Sequence, residues 1–184
     1  MKLRPLSLAD EAQALQGHSE LAIDKWEYLL GYKKDMPWPE YLEILGHEST
    51  GTNLKQGRVP ATFLIAENDG TLVGRASIRH ELNDFLLSVG GHIGYGVRPN
   101  YRRQGFASEI LRQSLAFMHG LGVTKVLVTC DEDNLGSIKV IESQGGILEN
   151  KVEFEGTSKR RYWITKDNLI EQNLVGNSMG NRPE

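Results

Sequence analysis

Gly94-Tyr95-Gly96-Val97-Arg98-Pro99-Asn100-Tyr101-Arg102-Arg103-Gln104-Gly105-Phe106-Ala107-Ser108 is the stretch that says most about this chain. His92 to Val97 reads as a strand, and Pro99 stops it by fixing φ and removing a backbone donor. Phe106, Ile110, Leu111, Ser114, Phe117, Met118 and Leu121 then keep helical spacing, with Gly120 and Gly122 as the stop. The stretch is therefore a strand, a tight loop and the first turn of an amphipathic helix. The first N–H groups of a helix have no intrahelical partner and lie at the positive end of its dipole. Gly105 has no Cβ and Ala107 little more, so a ligand can approach the backbone there. This predicts a nest of donors suited to a pyrophosphate. Arg98, Arg102 and Arg103 add positive charge, and no Asp or Glu occurs from Phe85 through Ser108.

Outward from this stretch the pattern is α/β. Upstream, Ala61 to Ala66 and Thr71 to Ile78 are two apolar runs around Asn68-Asp69-Gly70, the signature of a β-hairpin. Residues 82–88 suggest a short helical turn. Residues 2–6 suggest a short strand, and Ser7 to Asp10 a capping box opening a helix. Downstream, Val123 to Cys130 is a β-branched strand, 135–144 a helix closed by Gly145-Gly146, and Ile147 to Phe154 and Arg160 to Ile164 two more strands. Residues 20–60 hold Trp26, Tyr28, Tyr32, Trp38 and Tyr41, with a helix expected from Pro39 to Gly46. Most of these aromatics read as packing residues. The expected organisation is one domain over 1–165, with 20–60 as its variable substrate-side region, and a polar tail over 166–184.

Composition sets the limits. The chain has 184 residues and a net charge of −3 from 21 basic and 24 acidic side chains, which argues against general nucleic-acid binding. Cys130 is the only cysteine, so neither an intrachain disulfide nor a cysteine-rich metal site is expected. No apolar run approaches a membrane span, and the reading is of a cytoplasmic protein with no membrane partner. His47-Glu48 and His80-Glu81 begin a zinc motif, but Gly51 and Asp84 stand where its second His belongs. No metal is expected. Gly176 to Gly180 has the glycine and serine spacing of an esterase elbow but sits in the polar tail, so it is read as chance.

Other phosphate loops fit the central stretch poorly. The dinucleotide fingerprint starts at Gly94 and Gly96 but meets Pro99, and a Walker loop would need Lys at Val97. The stretch instead resembles the GNAT family of N-acetyltransferases. Arg102-x-x-Gly105-x-Ala107 matches that family's Arg/Gln-x-x-Gly-x-Gly/Ala signature, and Val97-x-Pro99-x-Tyr101-Arg102 its usual lead-in. Asn134-x-x-Ser137-x-x-x-Ile141-x-x-x-Gly145 resembles a second block, at family spacing. The resemblance runs from about residue 60 to 165. It implies a mixed, mostly antiparallel central β-sheet with splayed parallel strands, flanked by helices.

The resemblance also implies acetyl-CoA as co-substrate, lying in the splay. The backbone of Arg103, Gln104, Gly105, Phe106, Ala107 and Ser108 would hold its pyrophosphate beside Arg102. Tyr95 and Val97 would line the pantetheine arm, and Asn134 and Ser137 would stand near the thiol. Asn134 reads equally well as a helix N-cap. Two family features are missing. Ile141 replaces the usual proton-donating Tyr, leaving Ser137, Tyr162 or a water to serve. Gly91 stands where an acidic base is frequent, leaving His92 and Glu81 as candidates. The function expected is direct acetyl transfer from acetyl-CoA to an amine, in a family whose members often form homodimers. A non-catalytic acyl-CoA sensor is the first rival, and a nucleotide-binding module of another kind the second.

Overall fold

The computed structural model describes residues 1–167. Four strands form an antiparallel sheet in sequence order: β1 (Lys2–Arg4), β2 (Ala61–Asn68), β3 (Thr71–Arg79) and β4 (Ile93–Val97). The turn between β2 and β3 has both Asp69 (φ 49°) and Gly70 (φ 77°) in the left-handed region. That is the turn whose twist matches a hairpin, and Asp-Gly is a sequence that tolerates it. Three further strands, β5 (Lys125–Asp131), β6 (Ile147–Phe154) and β7 (Thr157–Thr165), form a second antiparallel ladder in the order β5-β7-β6.

Helices α1 (Glu11–Ala22) and α2 (Trp38–Thr50) precede the hairpin, α3 (Phe106–Gly120) joins β4 to β5, and α4 (Leu135–Ser143) follows β5. The central strand β3 is buried along seven of its nine residues because both faces are covered. Val73, Ala76 and Ile78 share one apolar cluster with Ile110, Leu111, Leu115 and Met118 of α3. Phe63, Ile65 and Leu72 share the other with Ala14 and Leu21 of α1 and Trp38, Tyr41 and Leu45 of α2. Tyr32 stacks edge-on against Trp38 and Tyr41 there. These rings are the packing residues that their sequence suggested.

The expected architecture is present, with shifted boundaries. The helix expected over 39–46 runs from Trp38 to Thr50, with Pro39 in its first turn where no donor is needed. The turn expected over 82–88 is a π-helical turn at Leu86–Gly90. Gly91 ends it at φ 65°, where a Cβ would stand 2.9 Å from the Leu127 carbonyl oxygen. Gly176 to Gly180, the polar tail from 168 onward and any fraying there lie outside the described residues.

Candidate active site

The site grows from the loop before α3. Gly105 caps that helix in the left-handed region, at φ 83°, which explains a glycine on conformational grounds. A Cβ there would meet nothing within 4 Å, so the backbone is also open to a ligand. Among the described residues, none of the N–H groups from Arg103 to Ser108 has a hydrogen-bond partner. All of these residues but Gln104 border a cleft of about 680 Å³, lined also by Tyr95, Val97, Arg102, Asn134, Ser137 and Val140. An elongated phosphorylated molecule fits such a site, because it would supply the acceptors that six adjacent donors lack.

The three arginines of the motif divide. Arg98 does not face the cleft. It is 3% exposed, and its Nε and Nη2 donate to Glu20 of α1 at 2.8 and 2.7 Å while Nη1 donates to the Leu72 carbonyl at 2.8 Å. It ties the motif to α1 and is unavailable to a phosphate. Arg102 lines the cleft but pairs with Asp24 at 2.5 Å, so the patch is less basic than its own segment suggests. Arg103 is exposed at the cleft at φ 64°, and Gln104 donates to the Asn100 carbonyl at 3.2 Å.

β4 and β5 run side by side without a regular ladder. Arg79 N–H donates to the His92 carbonyl and Arg98 N–H to the Val73 carbonyl, so the even-numbered residues of β4 pair with β3. The odd residues Tyr95 and Val97 therefore turn their N–H and C=O groups into the splay, as antiparallel geometry requires. The splay closes at His92. Its N–H donates to the Leu127 carbonyl at 2.8 Å, and its Nδ1 accepts from Leu127 N–H at 2.9 Å. The ring imitates one residue of strand pairing. It is 5% exposed, and burial pushes its pKa down to about 4. The base expected at His92 is thus a neutral ring, committed to β5 and absent from the walls of the cleft.

A second cleft, about 380 Å³, lies beyond Tyr95 and shares Trp26, Tyr95, Asn134 and Ser137 with the first. Asn134 caps α4, its Oδ1 accepting from Ser137 N–H at 3.0 Å, and also borders both clefts. The Tyr95 hydroxyl is shielded from solvent and makes no hydrogen bond of normal geometry. Burial drives its pKa far above the phenol range, and the neighbouring Ser137 hydroxyl offsets this only in part. Cys130 borders the second cleft, but burial raises its thiol to about 11, so it is no nucleophile at neutral pH.

Two other candidates are elsewhere. Glu81 is exposed past the end of β3 and borders neither cleft. Tyr162 is fully buried on β7, its hydroxyl donating to Glu142 Oε1 at 3.1 Å and accepting from Arg160 Nη1 at 3.4 Å. Ile141 is fully buried, and Val140 beside it borders the first cleft. The sequence reading missed Asp24 and Trp26, which reach the clefts from the segment after α1, and Arg75 and Arg79 of β3. A signal existed in Gly94 and Gly96. A Cβ on Gly96 would stand 2.4 Å from the Trp26 ring, and one on Gly94 3.1 Å from Arg79 Nη1. Among the described residues, no group of His, Cys, Asp and Glu could hold a metal, and no helix is long and apolar enough to cross a membrane.

Two antiparallel ladders splayed around a cleft of about 680 Å³, with a donor nest at one helix start, are the arrangement of an acetyltransferase fold. The model of the acetyltransferase (GNAT) domain matches residues 1–147, and the chain belongs to that family of acetyltransferases. An uncharacterised N-acetyltransferase, YjdG, of Bacillus subtilis (strain 168) is 22% identical over 140 residues, 73% of this chain and 79% of that one. Mycobacterium smegmatis RimJ, solved with CoA-disulfide, is similar in structure (TM-score 0.68, 19% identity, 95% of this chain and 88% of that one). So is yncA of Salmonella typhimurium, a putative acetyltransferase solved with acetyl-CoA (TM-score 0.59, 15% identity, 89% and 92%). A spermidine N-acetyltransferase of Vibrio cholerae has a TM-score of 0.63 (17% identity, 94% and 99%).

Proposed function

We propose that this acetyltransferase moves acetyl from acetyl-CoA directly to an amine, with both substrates bound at once. The observation that carries the reading is the pair of clefts meeting at Tyr95, Asn134 and Ser137, one bordered by unpartnered donors and the other by none of them. The N–H groups from Arg103 to Ser108 would hold the pyrophosphate of CoA. The turned-out N–H and C=O of Tyr95 and the N–H of Val97 would pair with the pantetheine amides, as a strand would, while the Val97 carbonyl accepts from Arg102 Nε at 3.2 Å. The amine nitrogen, entering from the second cleft, forms a C–N bond to the thioester carbonyl as the C–S bond breaks. Its surplus proton leaves to water, and the sulfur departs as thiolate. Holding both reactants in line supplies most of the acceleration.

Tyr95 is the group we assign to the departing sulfur. Its raised pKa keeps the hydroxyl protonated and makes full proton transfer to a thiolate uphill. It therefore acts by donating a hydrogen bond to the developing charge. With the thiol of Cys130 protonated, no acyl-cysteine step is needed.

The test is release of CoA from acetyl-CoA, followed with a thiol reagent over a panel of amines. Amine-dependent release is expected. Tyr95→Phe should lower kcat about 100-fold, the usual cost of one donor to a developing charge. Binding of acetyl-CoA by calorimetry should stay within a factor of two of the parent, about the scatter of such a comparison. Acetyl-CoA binding with no release from any amine would leave a sensor as the better reading.

A further inference from the structure

The second cleft has an electrostatic imbalance. Its walls include Arg75 and Arg79 of β3, Glu27, Asp131 and Lys159. Lys159 and Asp131 are paired with each other. The Glu27 carboxylate accepts the Gly31 N–H at 2.7 Å. Neither acid closes an ion pair with either arginine.

Arg75 is 3% exposed, stacked with its guanidinium carbon 3.9 Å from the Trp26 ring centroid. Its Nη2 donates to the Glu27 carbonyl at 2.8 Å, its Nη1 to the Gly94 carbonyl at 3.2 Å, and its buried Nε has no partner. Burial, then Arg79, lower its pKa to about 9, which leaves it charged at neutral pH. Arg79 makes no side-chain hydrogen bond or ion pair among the described residues. Burial and then Arg58 depress its pKa. Gly94 leaves the space across β4 that the Arg79 guanidinium occupies.

Among the described residues, a buried cation and a half-buried one stand side by side with no ion-paired acid, which destabilises the fold unless something else repays it. Guanidinium groups bind planar oxyanions through two parallel hydrogen bonds. We infer that the acceptor is an amine that also carries a carboxylate, and that the carboxylate seats on Arg79 with Arg75 behind it. The amine then lies toward Tyr95 and Ser137, where the two clefts meet. This rests on the reading of the second cleft as the acceptor site. It departs from a polyamine acceptor, whose positive charges would face those of Arg75 and Arg79.

The experiment compares each amino acid with its decarboxylated amine: tyrosine with tyramine, tryptophan with tryptamine, lysine with cadaverine. Phosphoethanolamine with ethanolamine, and spermidine, complete the panel. The carboxylate-bearing member of at least one pair is expected to have the higher kcat/KM, by about tenfold or more, the scale of one charge-assisted pair. R79Q should remove that preference by raising KM about tenfold with kcat held within a factor of two, the signature of lost ground-state binding. R79K, which keeps the charge and loses the fork, should fall between. Circular dichroism and acetyl-CoA affinity should be those of the parent for both variants. Better turnover of spermidine, of decarboxylated amines or of only the phosphate pair overturns the inference and leaves the transferase intact. An unchanged preference in R79Q overturns it as well. Acetyl-CoA binding with no release from any amine removes the transferase reading, and the inference with it.

Discussion

A single ring carries much of the geometry. His92 takes the place of a strand residue opposite Leu127, and its Nδ1 is the acceptor that β5 needs. If that is its contribution, a side chain that accepts a hydrogen bond without titrating should replace it. His92→Asn is expected to keep at least about half the turnover, with an unchanged acid limb in its pH profile. His92→Ala should lose about ten- to 100-fold, the range for misplaced reactants. Equal loss in both variants would restore His92 as a base. Its folded pKa of about 4 lies below the free value of 6.5. The neutral ring therefore stabilises the fold fully above pH 6.5, and that contribution drains as the pH falls toward 4. Urea denaturation across that window should show a decline that His92→Asn lacks. Histidine at a strand end is chemically ambiguous in a sequence, since nothing local says which nitrogen will be occupied or by what.

At the scale of elements, the start of α3 was the most legible part of the molecule, because its information is local. Spacing gave the helix, Pro99 the strand end, and Gly105 the conformation that joins them. The family resemblance at these positions led to the family that the domain match shows. What could not be read were side chains arriving from elsewhere. Glu20 and Asp24, 78 residues before Arg98 and Arg102, occupy two arginines that their own segment left free. Glu81 followed from alternation along its strand, which cannot say which face a splayed sheet presents to its cleft, and Tyr162 from the need to replace a donor at Ile141, which says nothing of where its hydroxyl points. For α3 itself, two substitutions separate conformation from access. Gly105→Ala keeps the site open but forces φ 83° on a residue with a Cβ, at about 1–2 kcal/mol. It should lower the melting temperature while sparing CoA affinity to within about fivefold. Gly105→Trp carries the same strain and also covers the donors. Its CoA affinity should fall at least 100-fold, about 2.7 kcal/mol. Equal affinities in the two variants would mean that the donor nest is not the binding site.

Across the whole molecule, the N-terminal segment is fastened to both the sheet and the motif by ion pairs. Arg4 donates to Asp10 at 2.7 Å through each of two nitrogens and also pairs with Glu67 of β2. The Asp10 carboxylate accepts from the N–H and hydroxyl of Ser7 as well. The Arg4 bonds, against a burial penalty, hold its pKa at about 2 instead of 3.8. Glu20 is held down the same way by Arg98. Because the folded pKa of Asp10 is the lower one, its carboxylate stabilises the fold fully above pH 3.8 and loses that contribution toward pH 2. Asp10→Asn should cost about 1–2 kcal/mol at neutral pH after allowance for partial solvation, and should flatten stability over that acid window. An unchanged acid limb in chemical denaturation would show that Arg4 gains nothing from the pair. The splay has a different molecular consequence. β4 and β5 each present an edge with unsatisfied backbone groups, which is the condition that invites a foreign strand. Whatever threads between them completes the hydrogen bonding of a sheet built one strand short. The ligand-free protein is then expected to self-associate more than the acetyl-CoA-bound form, and equal sedimentation of the two would show that the open edges recruit nothing.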